Sequence, residues 1–193
     1  KYNYSMYLFF DGVSTQWYLA LFNENRTIIA HHNFEISGNE STRIVPIIDE
    51  FLSLEKISHK DIKNIVTVVW PGSFTWIRTI SLVVNTLAYI YPEMKLTPVN
   101  YFDLFSEYPI VKSSSKRDLF VKYQKSATIE IQQNQDFISW YQGKRVYWDT
   151  SCPEIHEKYM LSWNVDYAWL IATLSLGDTK RLAPLYIKKP TIS

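Results

Sequence analysis

Few residues in this 193-residue chain have the type and spacing that chemistry requires. Ser73 follows Pro71-Gly72 in a turn between a β-branched run, Ile65–Val69, and a long apolar stretch, Phe74–Tyr91. The first pattern predicts a buried strand and the second a helix. Free amides and the helix dipole at such a helix start favour an anion, so the turn could hold a phosphate. It could equally be a simple helix start, capped by the Ser73 hydroxyl.

The spacing of the serine and histidine residues gives little support for a nucleophilic or metal-dependent catalytic site. Because Ser73 is followed by Phe74-Thr75, the Gly-x-Ser-x-Gly pattern of a nucleophile elbow is absent. The four histidines show no metal-pair spacing, and the adjacent His31 and His32 point to opposite faces of a predicted strand. We therefore expect no metal site and no cofactor.

Composition narrows the class of protein. Apolar residues make up 47% of the chain, so a good hydrophobic core is expected. The net charge is only +1, so the chain is not expected to bind a nucleic-acid backbone unaided. Cys152 is the only cysteine, which excludes an internal disulfide and favours a reducing compartment. The apolar start, Tyr4–Phe10, ends at Asp11 and is too short for a signal peptide or a membrane span. The expectation is a soluble, cytoplasmic protein.

The hydrophobic pattern predicts an α/β protein with two lobes, residues 1–100 and 101–193. An antiparallel meander of three strands opens the first lobe, followed by helix, strand, helix and a short strand. Their predicted bounds are Tyr4–Phe10, Trp17–Phe22, Thr27–Ile36, residues 41–55, Ile65–Val69, Phe74–Tyr91 and Leu96–Val99. Pro46 should bend the first helix without ending it, and Pro98 indicates an edge strand.

The second lobe is predicted to be smaller, with a polar, basic loop at 112–117. Its predicted elements are two paired strands, a helix, a strand, a helix and a final extended segment. These are Asp118–Ser126, Ala127–Gln132, Asp136–Gln142, Arg145–Trp148, Asp166–Leu176 and Pro184–Pro190.

The helix predicted over 74–91 has two distinct faces. A broad apolar arc would cover a sheet and consists of Trp76, Ile77, Ile80, Val83, Val84, Leu87, Ala88, Ile90 and Tyr91. The other face carries Phe74, Arg78, Thr79, Ser81, Leu82, Asn85, Thr86 and Tyr89. Arg78 is its only charge, whereas a solvent-facing helix usually carries several. This face therefore lies either inside the chain or against another subunit.

The turn between the first two strands, Asp11-Gly12-Val13-Ser14-Thr15, resembles the first phosphate loop of the actin-like and sugar-kinase ATPases. Such enzymes need further glycine-rich turns for the phosphates and the adenosine. This chain has 5 glycines and no two are close together, so a second backbone cradle cannot be built in the usual way. The resemblance implies the architecture of these ATPases with most of the ATP machinery missing.

Several segments, in order along the chain, resemble the bacterial TsaB (YeaZ) family. The most specific runs from Pro71 to Arg78, Pro-Gly-Ser-Phe-Thr-x-x-Arg, after a hydrophobic strand. The others are Phe9–Thr15, Glu40–Ile48, Ile57–Ile62 and Pro184–Ile187. The match is good over residues 8–100 and thin over 101–183.

The chain also departs from that family at specific positions. The family usually has glycine where Trp70 and Trp76 stand, and histidine where Glu40 stands. An Asp-Ala-Arg loop is replaced by Ser113–Ser115. The two tryptophans add bulk beside the turn at Pro71–Ser73, which argues against a phosphate cradle in that turn. They also offer aromatic contact area for an interface.

The resemblance implies an actin-like ATPase (ribonuclease H-like) fold with no catalytic site and no cofactor of its own. TsaB binds the catalytic subunit TsaD. With the ATPase TsaE, the complex makes threonylcarbamoyladenosine (t6A) at position 37 of ANN-decoding tRNAs. By this resemblance we expect a TsaD-like and a TsaE-like partner, tRNA reached through the complex, and a homodimer in isolation.

The two helices of the first lobe are the expected docking surface, in agreement with the uncharged helix face. Its expected residues are Ser41, Ile44, Val45, Ile48, Ser73, Phe74, Thr75, Arg78, Ser81, Leu82, Asn85 and Tyr89. The expected vestigial phosphate loop consists of Asp11, Gly12, Ser14 and Thr15.

Two other functions remain open on the sequence. One is a small ATP-binding, kinase-like enzyme that uses the Asp11 loop. The other is a glycoprotease, which the absence of a paired-histidine metal motif disfavours.

Overall fold

A computed structural model describes residues 5–14, 16–35, 40–71, 74–114, 117–140, 146–148, 160–161 and 165–183. The chain forms two compact units. The first comprises Lys1–Tyr101 together with Tyr167–Ser193, and the second comprises Phe102–Asp166. The expected division at residue 100 lies beside the observed one. The expected second lobe extends to residue 193, whereas the second unit ends at Asp166. The described residues 167–183 pack on the first unit.

The first unit is built on a five-stranded sheet with the order β3-β2-β1-β4-β5. Its strands are β1 (Met6–Asp11), β2 (Trp17–Asn23), β3 (Ile28–Phe34), β4 (Ile62–Trp70) and β5 (Lys95–Asn100). The first three pair antiparallel, and β4 pairs parallel with both β1 and β5. The predicted mixed sheet with an opening meander is therefore confirmed. Pro98 lies in β5 at the edge of this sheet, as its missing amide donor requires.

Two helices of this unit, α1 (Glu40–Leu54) and α2 (Phe74–Ile90), pack against each other, and α2 also packs on β4 and β5. The apolar residues of α1 recur at helical spacing and are buried on one side: Ile44, Ile47, Ile48, Phe51 and Leu52. Pro46 lies inside α1, which continues to Leu54, so it does not end the helix. The sheet-facing side of α2 buries Ile77, Ile80, Val84 and Ala88.

A third helix of the first unit is contributed by the C-terminal part of the chain and will be called α4 (Tyr167–Thr173). It is shorter than the predicted helix Asp166–Leu176. The predicted final extended segment, from Pro184, lies outside the described residues.

The second unit contains a sheet with the order β10-β9-β6-β7-β8 and the helix α3 (Asn134–Trp140). Its strands are β6 (Ile110–Ser113), β7 (Asp118–Lys122), β8 (Glu130–Gln133), β9 (Val146–Trp148) and β10 (Met160–Leu161). One face packs a core made of Val111, Leu119, Val121, Phe137 and Val146. The predicted pair of strands is present as β7 and β8, which are antiparallel.

The polar run that begins at Lys112 was predicted to be a loop, and this is wrong for its first two residues. Lys112 and Ser113 lie in β6, where they pair with Phe120 and Leu119. Lys112 is buried, so its long aliphatic stem is covered in spite of the charged end. Strand pairing thus overrides the polar composition.

In the part of the chain that the structure describes, no helix is both long and apolar enough to cross a membrane.

Candidate functional site

Asp11, the last residue of β1, is fully buried and accepts hydrogen bonds on both carboxylate oxygens. Oδ1 accepts the backbone amides of Val13 and Ser14 at 2.8 and 3.0 Å. Oδ2 accepts the Ser14 hydroxyl at 2.5 Å and the Tyr167 hydroxyl at 2.8 Å. The carboxylate is therefore satisfied by donors from the chain itself, as a buried charged group must be.

Tyr167 reaches this turn from 156 residues further along the chain, at the start of α4. Its ring stacks on that of Tyr18, with centroids 3.8 Å apart and planes 5° apart, and meets the ring of Phe9 edge-on at 5.6 Å. Burial, and then the neighbouring Asp11 carboxylate, raise the pKa of Tyr167 well above its usual value. Burial also raises the pKa of Tyr18 to about 12. Tyr167 is thus held in its protonated form, which is the form that can donate to Asp11.

The same turn is contacted from the opposite face of the sheet. Side chains alternate along β1, so Phe10 points away from the side that carries Asp11. On the Phe10 side, the indole Nε1 of Trp76 donates to the carbonyl oxygen of Gly12 at 2.5 Å. The Trp76 ring stacks on Trp17 with centroids 4.8 Å apart. Helix α2 and helix α4 therefore hold the turn from its two sides.

Gly12 is required by this close approach. A Cβ atom at this position would lie 2.7 Å from Cζ of Phe10 and 3.3 Å from Cδ1 of Ile80. Even an alanine would therefore force the core beneath the turn to shift.

The turn is poorly suited to hold a phosphate. Anion sites of this kind present unpaired backbone amides. Here the amides of Val13 and Ser14 already donate to Asp11, whose negative charge would also repel an anion. Thr15 lies outside the described residues.

The other turn that could hold an anion, at 71–73, can be placed only in part. Pro71 is buried and follows a cis peptide bond, whereas Gly72 and Ser73 lie outside the described residues. The Ser73 cap therefore stays a prediction. The described residues contain no cluster of three or more His, Cys, Asp or Glu that could hold a metal ion.

A second feature of the first unit is an exposed stripe along α2, which we call the α2 stripe. It consists of Arg78, Leu82, Thr86, Tyr89 and Ile90. These residues fall within about a third of the helix circumference at 100° per residue. Leu82, Tyr89 and Ile90 are 66%, 86% and 56% exposed. Large apolar side chains are thus presented to solvent around a single charge.

Several residues of the expected docking surface lie instead in the core. Ile44, Ile48 and Ser81 are at most 2% exposed, so the expectation that they contact a partner is corrected. The apolar side of α1 packs within the unit, and Ser81 of α2 is buried as well. Ile90 was assigned to the sheet-covering arc, but it points outwards.

Asn85 also has a different role from the one expected. Its side-chain amide donates to the carbonyl oxygen of Leu182 at 2.9 Å, and its Oδ1 accepts the Leu182 amide at 2.7 Å. It therefore binds the C-terminal part of the chain rather than standing free for a partner.

The other expected docking residues form two groups, those that are exposed and those whose side chains the structure does not describe. Val45 on α1 is 45% exposed, and Arg78, Leu82 and Tyr89 belong to the α2 stripe. The residues whose side chains lie outside the description are Ser41, Ser73, Phe74 and Thr75.

Sequence reasoning missed Tyr167 altogether. No local pattern marks a tyrosine whose partner is 156 residues away. From the sequence, the bulk of Trp76 was placed only beside the turn at 71–73. Its hydrogen bond to Gly12 in the Asp11 turn depends on the packing of α2 on the sheet.

Tyr18, which is buried, and Tyr167, which is half-buried, make the free energy of unfolding depend on pH in the alkaline range. A tyrosine in the unfolded chain loses its proton near pH 10, whereas burial keeps Tyr167 and Tyr18 protonated to higher pH. We therefore expect the free energy of unfolding to fall as the pH rises above about 10, because only the unfolded state releases these protons. Urea unfolding at several pH values should show a shallower fall for Tyr167→Phe and Tyr18→Phe.

Tyr89→Phe is the matched control, since it removes the same hydroxyl from a tyrosine that is exposed in the folded chain. Equal slopes in all three variants would contradict the assignment.

Two solved structures resemble the chain over about two thirds of its length. YeaZ from Pseudomonas aeruginosa matches with a TM-score of 0.57 and 15% sequence identity, covering 68% of this chain and 68% of that one. The second is described as an uncharacterized protein with similarity to peptidase YEAZ from Pseudomonas aeruginosa. It matches with a TM-score of 0.53 and 16% identity, covering 67% of this chain and 64% of its own. No protein-family model and no curated protein matches the sequence. The chain has the fold of YeaZ over the matched part, and the predicted α/β class with a mixed sheet is confirmed.

Proposed function

We propose that this chain is a non-catalytic docking subunit of the TsaB kind. It binds a TsaD-like catalytic subunit in the complex that makes t6A at position 37 of ANN-decoding tRNAs. The single observation that carries this proposal is the α2 stripe, an exposed apolar helix surface on a fold shared with YeaZ.

The stripe has the composition of an interface centre. A solvated helix face carries several charges, whereas α2 has Arg78 alone. Tyr and Arg are enriched among residues that dominate binding energy, and the stripe contains one of each. Full burial of a leucine or isoleucine contributes about 1.5–3 kcal/mol, so Leu82 and Ile90 would both gain by docking. Val45 supplies a further exposed apolar side chain on α1.

A non-catalytic role agrees with the state of the Asp11 turn. Both carboxylate oxygens of Asp11 and the amides of Val13 and Ser14 bond within the chain. ATP chemistry would therefore come from a TsaE-like ATPase, and tRNA would be bound through the complex, because a net charge of +1 gives this chain little attraction for phosphates. In isolation the same stripe would serve a homodimer, in the reducing cytoplasm that a single cysteine suits.

The docking proposal predicts the effect of placing charge in the stripe. Leu82→Arg combined with Tyr89→Glu should weaken the complex with a TsaD-like subunit by about tenfold or more, because both charges would have to be desolvated. Size-exclusion chromatography with light scattering and a biosensor Kd measure the effect. Asn85 is left intact because it binds the C-terminal part of its own chain.

Ile131→Arg is the matched control, since Ile131 is an exposed apolar residue of the second unit. Binding that survives the double substitution in a folded protein would exclude the α2 stripe, as would an equal loss with the control.

The proposal also predicts how the lone chain responds to nucleotide. Calorimetric titration with Mg-ATP should give no binding in the micromolar range, because the donors and acceptors of the Asp11 turn are already paired. A known ATP-binding protein titrated alongside checks the detection limit. Micromolar binding would support the small kinase-like enzyme instead.

A further inference from the structure

Residues 167–183 lie along the first unit as one segment, which we call the C-terminal strap. It begins with α4 at the Asp11 turn and reaches α2 at Leu182. Between these ends it crosses β5, where the Thr179 carbonyl accepts the Leu96 amide at 2.8 Å in an isolated antiparallel bridge. The strap thus contacts the sheet and the helix layer in turn.

The middle of the strap is fixed by buried polar side chains. The Gly177 carbonyl accepts the side-chain amide of Asn64 at 2.8 Å, and the Gly177 amide donates to the Thr97 hydroxyl oxygen at 2.9 Å. Thr97 in turn donates to Asn64 Oδ1 at 3.0 Å. Asn64 and Thr97 are both buried, so they would be left with unpaired polar atoms if the strap moved away.

The last fixed point is on α2. Asn85 makes paired hydrogen bonds to the Leu182 backbone, and the Leu182 side chain is buried. Lys180 adds a donor to the carbonyl oxygens of Pro92 and Met94, just beyond the helix end.

Helix α4 also buries Leu170 and Ile171 in the first unit. Helix α4 has 7 residues, which is too short to be stable by itself. Residues 174–178 form no regular structure, and most side chains from 172 to 183 are at least partly exposed. A segment of this kind unfolds locally unless its contacts with the rest of the unit form at the same time.

We propose that the C-terminal strap is a clamp that opens and closes as one cooperative unit and links the Asp11 turn to helix α2. Loss of the contact at one end increases the fraction of molecules in which the other end is open. The reason is that both ends depend on the central contacts of the strap with Asn64 and Thr97. This inference does not rest on the proposed docking function.

Hydrogen exchange of the full chain, followed by mass spectrometry, tests the clamp. Asn85→Ala removes the α2 end and should raise amide exchange about fivefold or more at the distant end, in 167–173, as well as near Leu182. Thr86→Ala is the matched control: Thr86 is the next residue, is exposed, and its hydroxyl donates to the Leu82 carbonyl of its own helix.

A second pair of variants tests the clamp from the other end. Tyr167→Phe keeps the stacked ring but removes the donor to Asp11, and should raise exchange in 177–183. Tyr18→Phe, which alters the ring stacked on it, should not. Exchange that rises only beside each substitution, or not at all, would overturn the clamp.

Discussion

The first unit depends on how the buried carboxylate of Asp11 is satisfied. A carboxylate with no solvent exposure must find donors, and the sharp turn after β1 supplies only some of them. The further donor is the Tyr167 hydroxyl, which joins the start of α4 to the first strand. This contact is one of several through which residues 167–183 belong to the first unit.

The Asp11 turn and the α2 stripe differ in whether their groups already have partners within the chain. The Asp11 turn, which the sequence predicted to be a vestigial phosphate loop, is paired internally and contacted by Trp76 and Tyr167. The α2 stripe instead leaves Leu82 and Tyr89 in water, with free energy to be gained by covering them. In these two features the polar groups are paired within the chain, whereas the apolar side chains are exposed. That contrast supports the proposed docking role.

Sequence patterns predicted the elements of the first unit well because its periodicities are local. The meander, both helices and the edge position of Pro98 all follow from neighbouring residues. A helical wheel also shows that α1 is apolar on one side, but not whether the chain or a partner covers that side. For this reason Ile44 and Ile48 were expected at an interface and lie in the core. The Tyr167 contact joins residues 156 apart, and no local pattern encodes such a pairing.

Site-specific photo-crosslinking tests the central claim most directly. A photoreactive residue in place of Leu82 should form a covalent adduct with a co-expressed TsaD-like subunit, while the same residue in place of Ile131 should not. Adduct formation from position 131 but not from position 82, with both proteins folded, would contradict the account.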